Sequence, residues 1–229
     1  MSQTRRYDSA TRLAKARLTR RRIIDAARDL FLAGGYVGTT LDAIAARAGV
    51  SPQTVYNLIG GKATLFKTVY DVTLAGDDEP VPLGGRPEFQ RIFEAASARE
   101  AVAVYVAFEQ VLWNRIGPLV AVATAQAAAG DKDLRAFVET IETERATGTR
   151  NLVGYLADRF GLRPGLSVAR AADILWAMTG PEAIERLVVK RGWDWKRYGE
   201  WKVDTVDYSL FGGSAARDSA ERTPGVADA

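Results

Sequence analysis

Amide and hydroxyl side chains are concentrated in residues 49–66, GVSPQTVYNLIGGKATLF. Gln53 and Asn57 carry amides that can pair bidentately with adenine edges in the major groove of DNA. The hydroxyls of Ser51 and Tyr56 suit phosphate oxygens. The side-chain chemistry of this segment is therefore that of a helix that reads nucleic acid. A plain corner between two helices is the alternative interpretation of the same pattern.

Two short helices are needed to hold these side chains in place. Thr40 can cap the first helix, which ends at Gly49. Ser51 can cap the second, with Pro52 at its first position, where proline loses no hydrogen bond. A glycine-containing tight turn between short helices is typical of the helix-turn-helix motif. The pattern turns the second helix outward at Gln53, Thr54, Tyr56 and Asn57. Its inward residues are Val55 and either Leu58 or Ile59.

The charge of the chain is uneven. Residues 1–22 contain eight Arg and Lys residues and one acidic residue, whereas the whole chain has a net charge of +3. A basic segment of this kind favours a polyanionic partner. We expect residues 1–18 to form a flexible basic arm that tracks the DNA backbone or enters a minor groove. A solvated tail without a partner is the alternative.

The residue types that are absent exclude several classes of site. The 229 residues include no cysteine and no histidine, which excludes disulfides, Cys–His and Ser-His-Asp catalysis, and metal sites built from His or Cys. The sequence shows no secretory signal pattern and no apolar run of about 20 residues. We therefore expect a cytoplasmic protein with no cofactor, no metal and no membrane span.

Helical periodicity extends through the chain, and no alternating run has the length of a strand. The sequence GDDEPVPLGGRPE, residues 76–88, is the clearest boundary. We therefore predict an all-α protein with a three-helix helix-turn-helix domain at 19–72, a helical bundle at 73–212 and a disordered tail at 213–229. The helices of the bundle are expected at 88–98, 99–115, 117–129, 132–160, 167–178, 181–191 and 195–211.

Residues 20–70 carry the motifs IxxAAxxLFxxxGY, TTLDAIAARAGVS, TxY and KxxLF in continuous order. These motifs strongly resemble the DNA-binding domain of the TetR family of bacterial transcriptional regulators. Residues 175–206, with RGW before a tyrosine and a tryptophan, also resemble one branch of that family. The resemblance implies a homodimer on a near-palindromic double-stranded DNA operator. It also implies that the C-terminal bundle binds a small-molecule effector and dimerises through its last two long helices.

The resemblance also implies which residues touch DNA. It places base contacts between Gln53 and Asn57 and phosphate contacts at Thr40, Tyr56 and Lys62. The expected DNA-binding set is Arg20, Thr40, Ser51, Pro52, Gln53, Thr54, Tyr56, Asn57 and Lys62. The chain departs from the family pattern at Leu58, Ile59 and Ala63, so the packing at the end of the recognition helix is expected to differ.

Charged residues interrupt two apolar faces of the expected bundle. Glu109 shares a face with Val102, Val106 and Trp113, and Arg145 interrupts the apolar stripe of the helix at 132–160. An uncompensated buried carboxylate is costly, so it needs a partner or a raised pKa. Two readings stay open: the two charges pair with each other, or one or both orient a ligand. That ligand is cationic or a hydrogen-bond donor if Glu109 selects it, and carries a carboxylate if Arg145 does.

The expected pocket residues are Tyr105, Glu109, Trp113, Phe137, Arg145, Tyr155 and Trp176. Each aromatic residue in this set is also explained as core or dimer interface. We expect a ligand-responsive transcriptional regulator, most simply a repressor that its effector releases from the operator. The alternative is a constitutive dimeric DNA-binding protein without a ligand. An enzyme is disfavoured, because the chain lacks histidines and a phosphate-cradling glycine loop.

Overall fold

The computed structural model describes residues 2–213, with side chains from residue 12 onward, and every regular element in that range is helical. The expected all-α class is confirmed. The helices are α1 (Ser2–Gly38), α2 (Leu41–Ala48), α3 (Pro52–Leu58), α4 (Lys62–Ala75), α5 (Pro87–Glu94), α6 (Ala98–Ala128), α7 (Lys132–Phe160), α8 (Val168–Met178), α9 (Pro181–Ile184) and α10 (Trp195–Phe211). A 3-10 turn (Leu83–Gly85) precedes α5, and a π-helical turn (Glu185–Lys190) follows α9. The tail prediction falls outside the described residues except at Gly213.

Most helix boundaries lie close to the expected ones, and one expected break is wrong. The helices expected at 99–115 and 117–129 form the single helix α6, which runs through Pro118. A proline removes one backbone hydrogen bond and kinks a helix rather than always ending it. Leu119 and Ala123, which follow the proline, are buried and hold the continued helix against its neighbours. No helix within residues 2–213 is long and apolar enough to cross a bilayer.

The amino-terminal segment that the sequence predicted as a flexible basic arm is assigned to a helix, and its flexibility stays a prediction. Helix α1 includes residues 2–18. Residues 12–22 contain Ala, Leu, Lys and Arg, which are strong helix formers, and contain no glycine or proline. The basic charge of this segment therefore resides on a helix.

The described chain divides into two compact units. Residues 2–80 and 114–140 form the first unit, and residues 81–113 and 141–213 form the second. The first unit thus includes the segment 19–72, which was predicted as the DNA-binding domain, together with the end of α6 and the start of α7. The expected boundary between two domains after residue 72 stays a prediction.

Aromatic rings form the centre of the first unit. Phe66 on α4 is 1% exposed, and its ring centroid lies 5.0 Å from Phe31, 5.4 Å from Tyr36 and 4.9 Å from Phe137, all edge-to-face. Such ring pairs contribute ~0.5–1.5 kcal/mol each beyond their burial. They fix α4 against α1 and the start of α7.

Aliphatic side chains form the core of the second unit. Its fully buried members come from α5, α6, α7, α8 and α10, and include Ile92, Val102, Val153, Leu175 and Leu210. The core therefore joins helices that lie more than 100 residues apart in the sequence. This core holds the polar residues of the second unit that are described below.

A glycine in α1 allows a close contact within the first unit. Gly35 interrupts α1 with φ 71° and ψ 172°, a region that is essentially restricted to glycine. A Cβ at this position would overlap the side-chain amide of Gln126 on α6. The Gln126 Oε1 accepts the backbone N–H of Val37 at 2.9 Å. Gly35 thus provides both the backbone turn and the space for this contact.

Replacing Gly35 with alanine tests this role. We expect Gly35→Ala to lower the free energy of unfolding by ~1–3 kcal/mol, the usual strain of a side chain in this backbone region. Urea denaturation measures the loss. Gly38→Ala is the matched control, because a Cβ at Gly38 meets nothing within 4 Å. Equal effects of the two substitutions would contradict the assignment.

Candidate nucleic-acid interface and buried polar cluster

The turn between α2 and α3 has the expected caps. The Thr40 Oγ1 accepts the backbone N–H of Ala43 at 3.1 Å, and Gly49 ends α2 with φ 66°. The Ser51 Oγ accepts the backbone N–H of Thr54 at 3.1 Å. These bonds satisfy helix-terminal donors that would otherwise be unpaired. They fix both ends of the turn that sets the direction of α3.

Helix α3 has one buried side chain and an exposed polar face. Val55 is 0% exposed, whereas Tyr56 is 62% exposed, and Gln53 and Asn57 are also exposed. The Gln53 Nε2 donates to the Asn57 Oδ1 at 2.8 Å. That bond orients both amides and uses neither the Asn57 Nδ2 nor the Gln53 Oε1. A donor and an acceptor are therefore available for the edge of a base.

Two residues of the predicted DNA-binding set, Lys62 and Arg20, have different surroundings. Lys62, at the start of α4, places its Nζ 4.2 Å from the centroid of the Tyr36 ring. The Tyr36 hydroxyl donates to the Asp133 Oδ2 at 2.8 Å, and burial together with this carboxylate raises the pKa of Tyr36. Tyr36 therefore stays a neutral platform under the Lys62 charge. Arg20, in contrast, is engaged by both carboxylate oxygens of Asp78, at 2.9 and 3.1 Å.

A groove lies between α1 and α3 within the first unit. Its volume is about 400 Å³, and its lining residues are Arg12, Lys15, Ala16, Thr19, Thr54, Asn57 and Leu58. The first four of these were not among the predicted site residues. Their i, i+3, i+4, i+7 spacing would have indicated a common face, had the segment been read as a helix.

In the second unit, the buried partner of Glu109 is Lys202, which corrects the pairing with Arg145 that the sequence left open. The Lys202 Nζ lies 2.7 and 2.8 Å from the two carboxylate oxygens and donates to the Tyr198 hydroxyl at 2.9 Å. Trp113 Nε1 donates to Glu109 at 3.1 Å. Lys202 is 0% exposed and Glu109 is 5% exposed. The lysine could have been found from its i, i+4 spacing after Tyr198 on an apolar face of α10.

Burial and pairing act in opposite directions on these two charges. Burial raises the pKa of Glu109 and lowers the pKa of Lys202, and the contact between the two groups opposes both shifts. All three ammonium protons of Lys202 have acceptors in this arrangement. The hydrogen-bonding capacity of the Lys202 ammonium is therefore used within the protein, and no donor of Lys202 is left for a ligand.

Arg145 lies beside this pair: it contacts Thr179, whose carbonyl accepts Trp113 Nε1, and its charge acts to lower the pKa of both Glu109 and Lys202. Its Nη1 donates to the backbone carbonyl of Trp176 at 2.7 Å, and its Nη2 donates to Glu142 at 2.5 Å. The guanidinium carbon lies 4.7 Å from the centroid of the Trp176 ring. The Arg145 Nε and the Trp176 Nε1 are buried and have no acceptor among the described residues. Two donors on neighbouring side chains are therefore available to an acceptor atom.

Of the other predicted pocket residues, Tyr105 lies with Arg145 and Trp113, because all three contact Thr179. Burial raises the pKa of Tyr105, whose hydroxyl lies near Thr149 and Thr179 in the second unit. Phe137 packs in the first unit against Phe66 and Tyr70, so it is not brought together with Arg145.

Tyr155 donates to the backbone carbonyl of Phe93 at 3.3 Å and packs against the Phe93 ring at 4.5 Å. It therefore has a structural explanation within the second unit.

Across the described side chains, no group of three acidic residues converges to form a metal site.

Removing Lys202 should expose the dependence of Glu109 on its partner. We expect Lys202→Met to lower the free energy of unfolding by ~3–5 kcal/mol, because Glu109 then lacks its buried partner and must either stay charged without compensation or take up a proton on folding. The loss should grow as the pH rises above ~4.3, since the unfolded state releases the Glu109 proton there while the folded state retains it. Urea denaturation between pH 4 and pH 8 measures both effects.

The double variant Lys202→Met, Glu109→Gln is the control for that experiment. It removes the charge together with its partner, so it should recover much of the lost stability and the pH dependence should flatten. A double variant as unstable and as pH-dependent as Lys202→Met would contradict the pairing.

Known proteins resemble both the sequence and the fold. The model of the tetR family of bacterial regulatory proteins matches residues 23–69. The chain is 38% identical over 94 residues to TtgW, an uncharacterized HTH-type transcriptional regulator of Pseudomonas putida, across 40% of this chain and 67% of that protein. It is also 38% identical over 94 residues to the HTH-type transcriptional regulator SrpR of Pseudomonas putida, across 40% of this chain and 42% of that protein.

Solved structures share the fold at low identity. SmeT in complex with triclosan has a TM-score of 0.64 and 23% identity, covering 84% of this chain and 91% of that one. NalD, the secondary repressor of the MexAB-OprM multidrug efflux pump in Pseudomonas aeruginosa, has a TM-score of 0.64 and 21% identity, covering 86% and 98%. FadR from Bacillus subtilis in complex with stearoyl-CoA has a TM-score of 0.63 and 19% identity, covering 81% and 96%. With the helix-turn-helix geometry and the sequence match over it, the chain belongs to the tetR family of bacterial regulatory proteins, which are DNA-binding transcriptional regulators rather than enzymes.

Proposed function

We propose that this regulator is a homodimeric repressor that binds a near-palindromic operator and is released from it by a small-molecule effector. The exposed Gln53–Asn57 pair on α3 carries the proposal. Two amides oriented by a mutual hydrogen bond on an uncovered helix face match the donor and acceptor pattern of base edges in a major groove. Ser51, Tyr56 and Lys62 surround this face with groups that suit phosphate oxygens.

A dimer provides the second half of the operator contact. Two-fold related recognition helices read successive major grooves about 34–36 Å apart, which requires a near-palindromic site. Tyr208 on α10 is 72% exposed and Val168 at the start of α8 is 40% exposed. These apolar side chains on the last long helices support an interface formed by α8 and α10.

The polar residues of the second unit support a ligand response. Buried donors without acceptors cost ~1–3 kcal/mol each, and a ligand that offers an acceptor to Arg145 Nε and Trp176 Nε1 removes that cost. SmeT and FadR, which share the fold, are described with triclosan and with stearoyl-CoA. A regulator that needs no ligand is the alternative, and it requires these donors to be satisfied by water.

Helices α6 and α7 provide the connection that a ligand response needs. Each contributes residues to both compact units. A ligand that prefers the non-binding conformation ~100-fold shifts the equilibrium by about 2.7 kcal/mol. A modest differential affinity is therefore enough to move the regulator from bound to released.

Asn57→Ala tests the base-reading role of α3. On duplexes selected by the wild-type protein, we expect this variant to lose ~1–3 kcal/mol of discrimination at one base position per half-site. Fluorescence anisotropy with single-base variants of the duplex measures the loss. Ala63→Ser, near the start of α4, is the control for an exposed change that leaves the amides in place. A uniform loss over all duplexes would mean that Asn57 contacts only the backbone.

Trp176→Phe tests the ligand half of the proposal. This change deletes the buried Nε1 donor and keeps most of the ring. For a compound that releases the wild-type protein from its operator, we expect the half-releasing concentration to rise about 2- to 12-fold, equivalent to one hydrogen bond. Operator affinity should not change. Trp193→Phe is the matched control, and equal shifts in both variants would contradict a specific role for Trp176.

A further inference from the structure

We propose that the groove between α1 and α3 holds one phosphodiester strand of the operator, so that the amino-terminal part of α1 is a second, helical DNA-contacting element. This inference rests on the proposed function, because the partner is the same DNA. It adds Arg12 and Lys15 as contact residues, and it assigns them a helical conformation instead of an extended one.

The first argument is the position of the groove. One wall is formed by Thr54 and Asn57, on the outward face of the helix that reads bases. The other wall is formed by one face of α1, where Arg12, Lys15 and Thr19 follow one another at helical spacing. A strand lying in this groove therefore passes directly beside Asn57. Contacts along it would set the register in which Asn57 meets its base.

The second argument is the charge of the groove. Arg12 and Lys15 are exposed cations, and no carboxylate is among the lining residues. The hydroxyl of Thr19 donates to the Lys15 carbonyl and that of Thr54 is bonded to the Ser51 hydroxyl, so the two cations are the groups left for a partner, and Ala16 is short enough to leave the centre open. Cations around an open channel are groups that contact phosphate in protein–DNA complexes. The chemistry thus favours a polyanionic strand over an apolar peptide.

The third argument is that helical structure brings the two cations together. Residues three apart rise ~4.5 Å along a helix and lie on one face. In an extended arm the same residues are ~10 Å apart and their side chains need not face α3. Since α1 is helical through residues 12–19, both cations line one groove. The helix therefore places them for adjacent phosphates.

The salt dependence of operator binding tests this inference. Each phosphate contact contributes a slope of about −0.9 to the plot of log K against log salt concentration. We expect Arg12→Ala and Lys15→Ala each to make the slope less steep by about 1.8, because each substitution removes one phosphate contact from both subunits of the dimer, while the selected sequence stays the same. Lys196→Ala, which removes an exposed charge from α10 in the second unit, should leave the slope unchanged. Circular dichroism should show the same thermal transition for all three variants.

A proline substitution tests whether residues 12–19 act as a helix or as a flexible arm. Ala14→Pro keeps every charge but disrupts α1 just beyond Arg12, so we expect it to lose the Arg12 share of the slope. Ala14→Ser is the control and should bind as the wild type does. If Ala14→Pro also binds as the wild type does, the segment works as a flexible arm and the helical groove is wrong.

The remaining outcomes distinguish this inference from the proposed function. If the wild-type protein selects no sequence, the operator model fails and the groove fails with it. If it selects a sequence but neither Arg12→Ala nor Lys15→Ala changes the slope, the groove alone is wrong. A third outcome is that poly-glutamate peptide binding requires both Arg12 and Lys15, while the salt slope of DNA binding requires neither. The groove is then a protein-docking surface, and the inference is overturned.

Discussion

The role proposed for the first unit depends on how the seven-residue helix α3 is held in place. Helix α3 has one fully buried side chain, Val55, and an isolated helix of this length is not stable in water. Its orientation must therefore come from the Ser51 cap, the Gly49 turn and the helices that pack around it. The aromatic cluster around Phe66 supplies a rigid base for those helices. This division leaves almost the whole outer face of α3 available for a partner.

The buried polar residues of the second unit form two groups that differ in their hydrogen bonding. The pair of Glu109 and Lys202 is enclosed and satisfied, as expected of a structural element. Arg145 and Trp176 retain buried donors that no described residue accepts. Under the proposed ligand response, the guanidinium and the indole are therefore better candidates than the carboxylate for contacting a ligand, and a ligand with an acceptor atom is proposed over a cationic one.

Local signals in the sequence predicted local structure well. Capping residues and glycines located α2 and α3, and helical periodicity located α7 and α10. The partner of Glu109 was not predictable in this way, because periodicity assigns a residue to a face but not to the helix opposite, and Lys202 is 93 residues away. Phe137 shares the stripe of Arg145, yet the 29-residue helix α7 contributes to both units. The amino-terminal charge suggested an arm, although the same residues favour a helix.

Selection of duplexes from a random DNA pool by the purified protein, at near-physiological salt, is the most direct test of the central claim. That claim is that α3 reads a defined sequence twice in a symmetric dimer. The account predicts one near-palindromic motif whose half-sites are centred about 10 base pairs, or a multiple of that spacing, apart. Recovery of no motif, with binding that depends on salt but not on sequence, would contradict it.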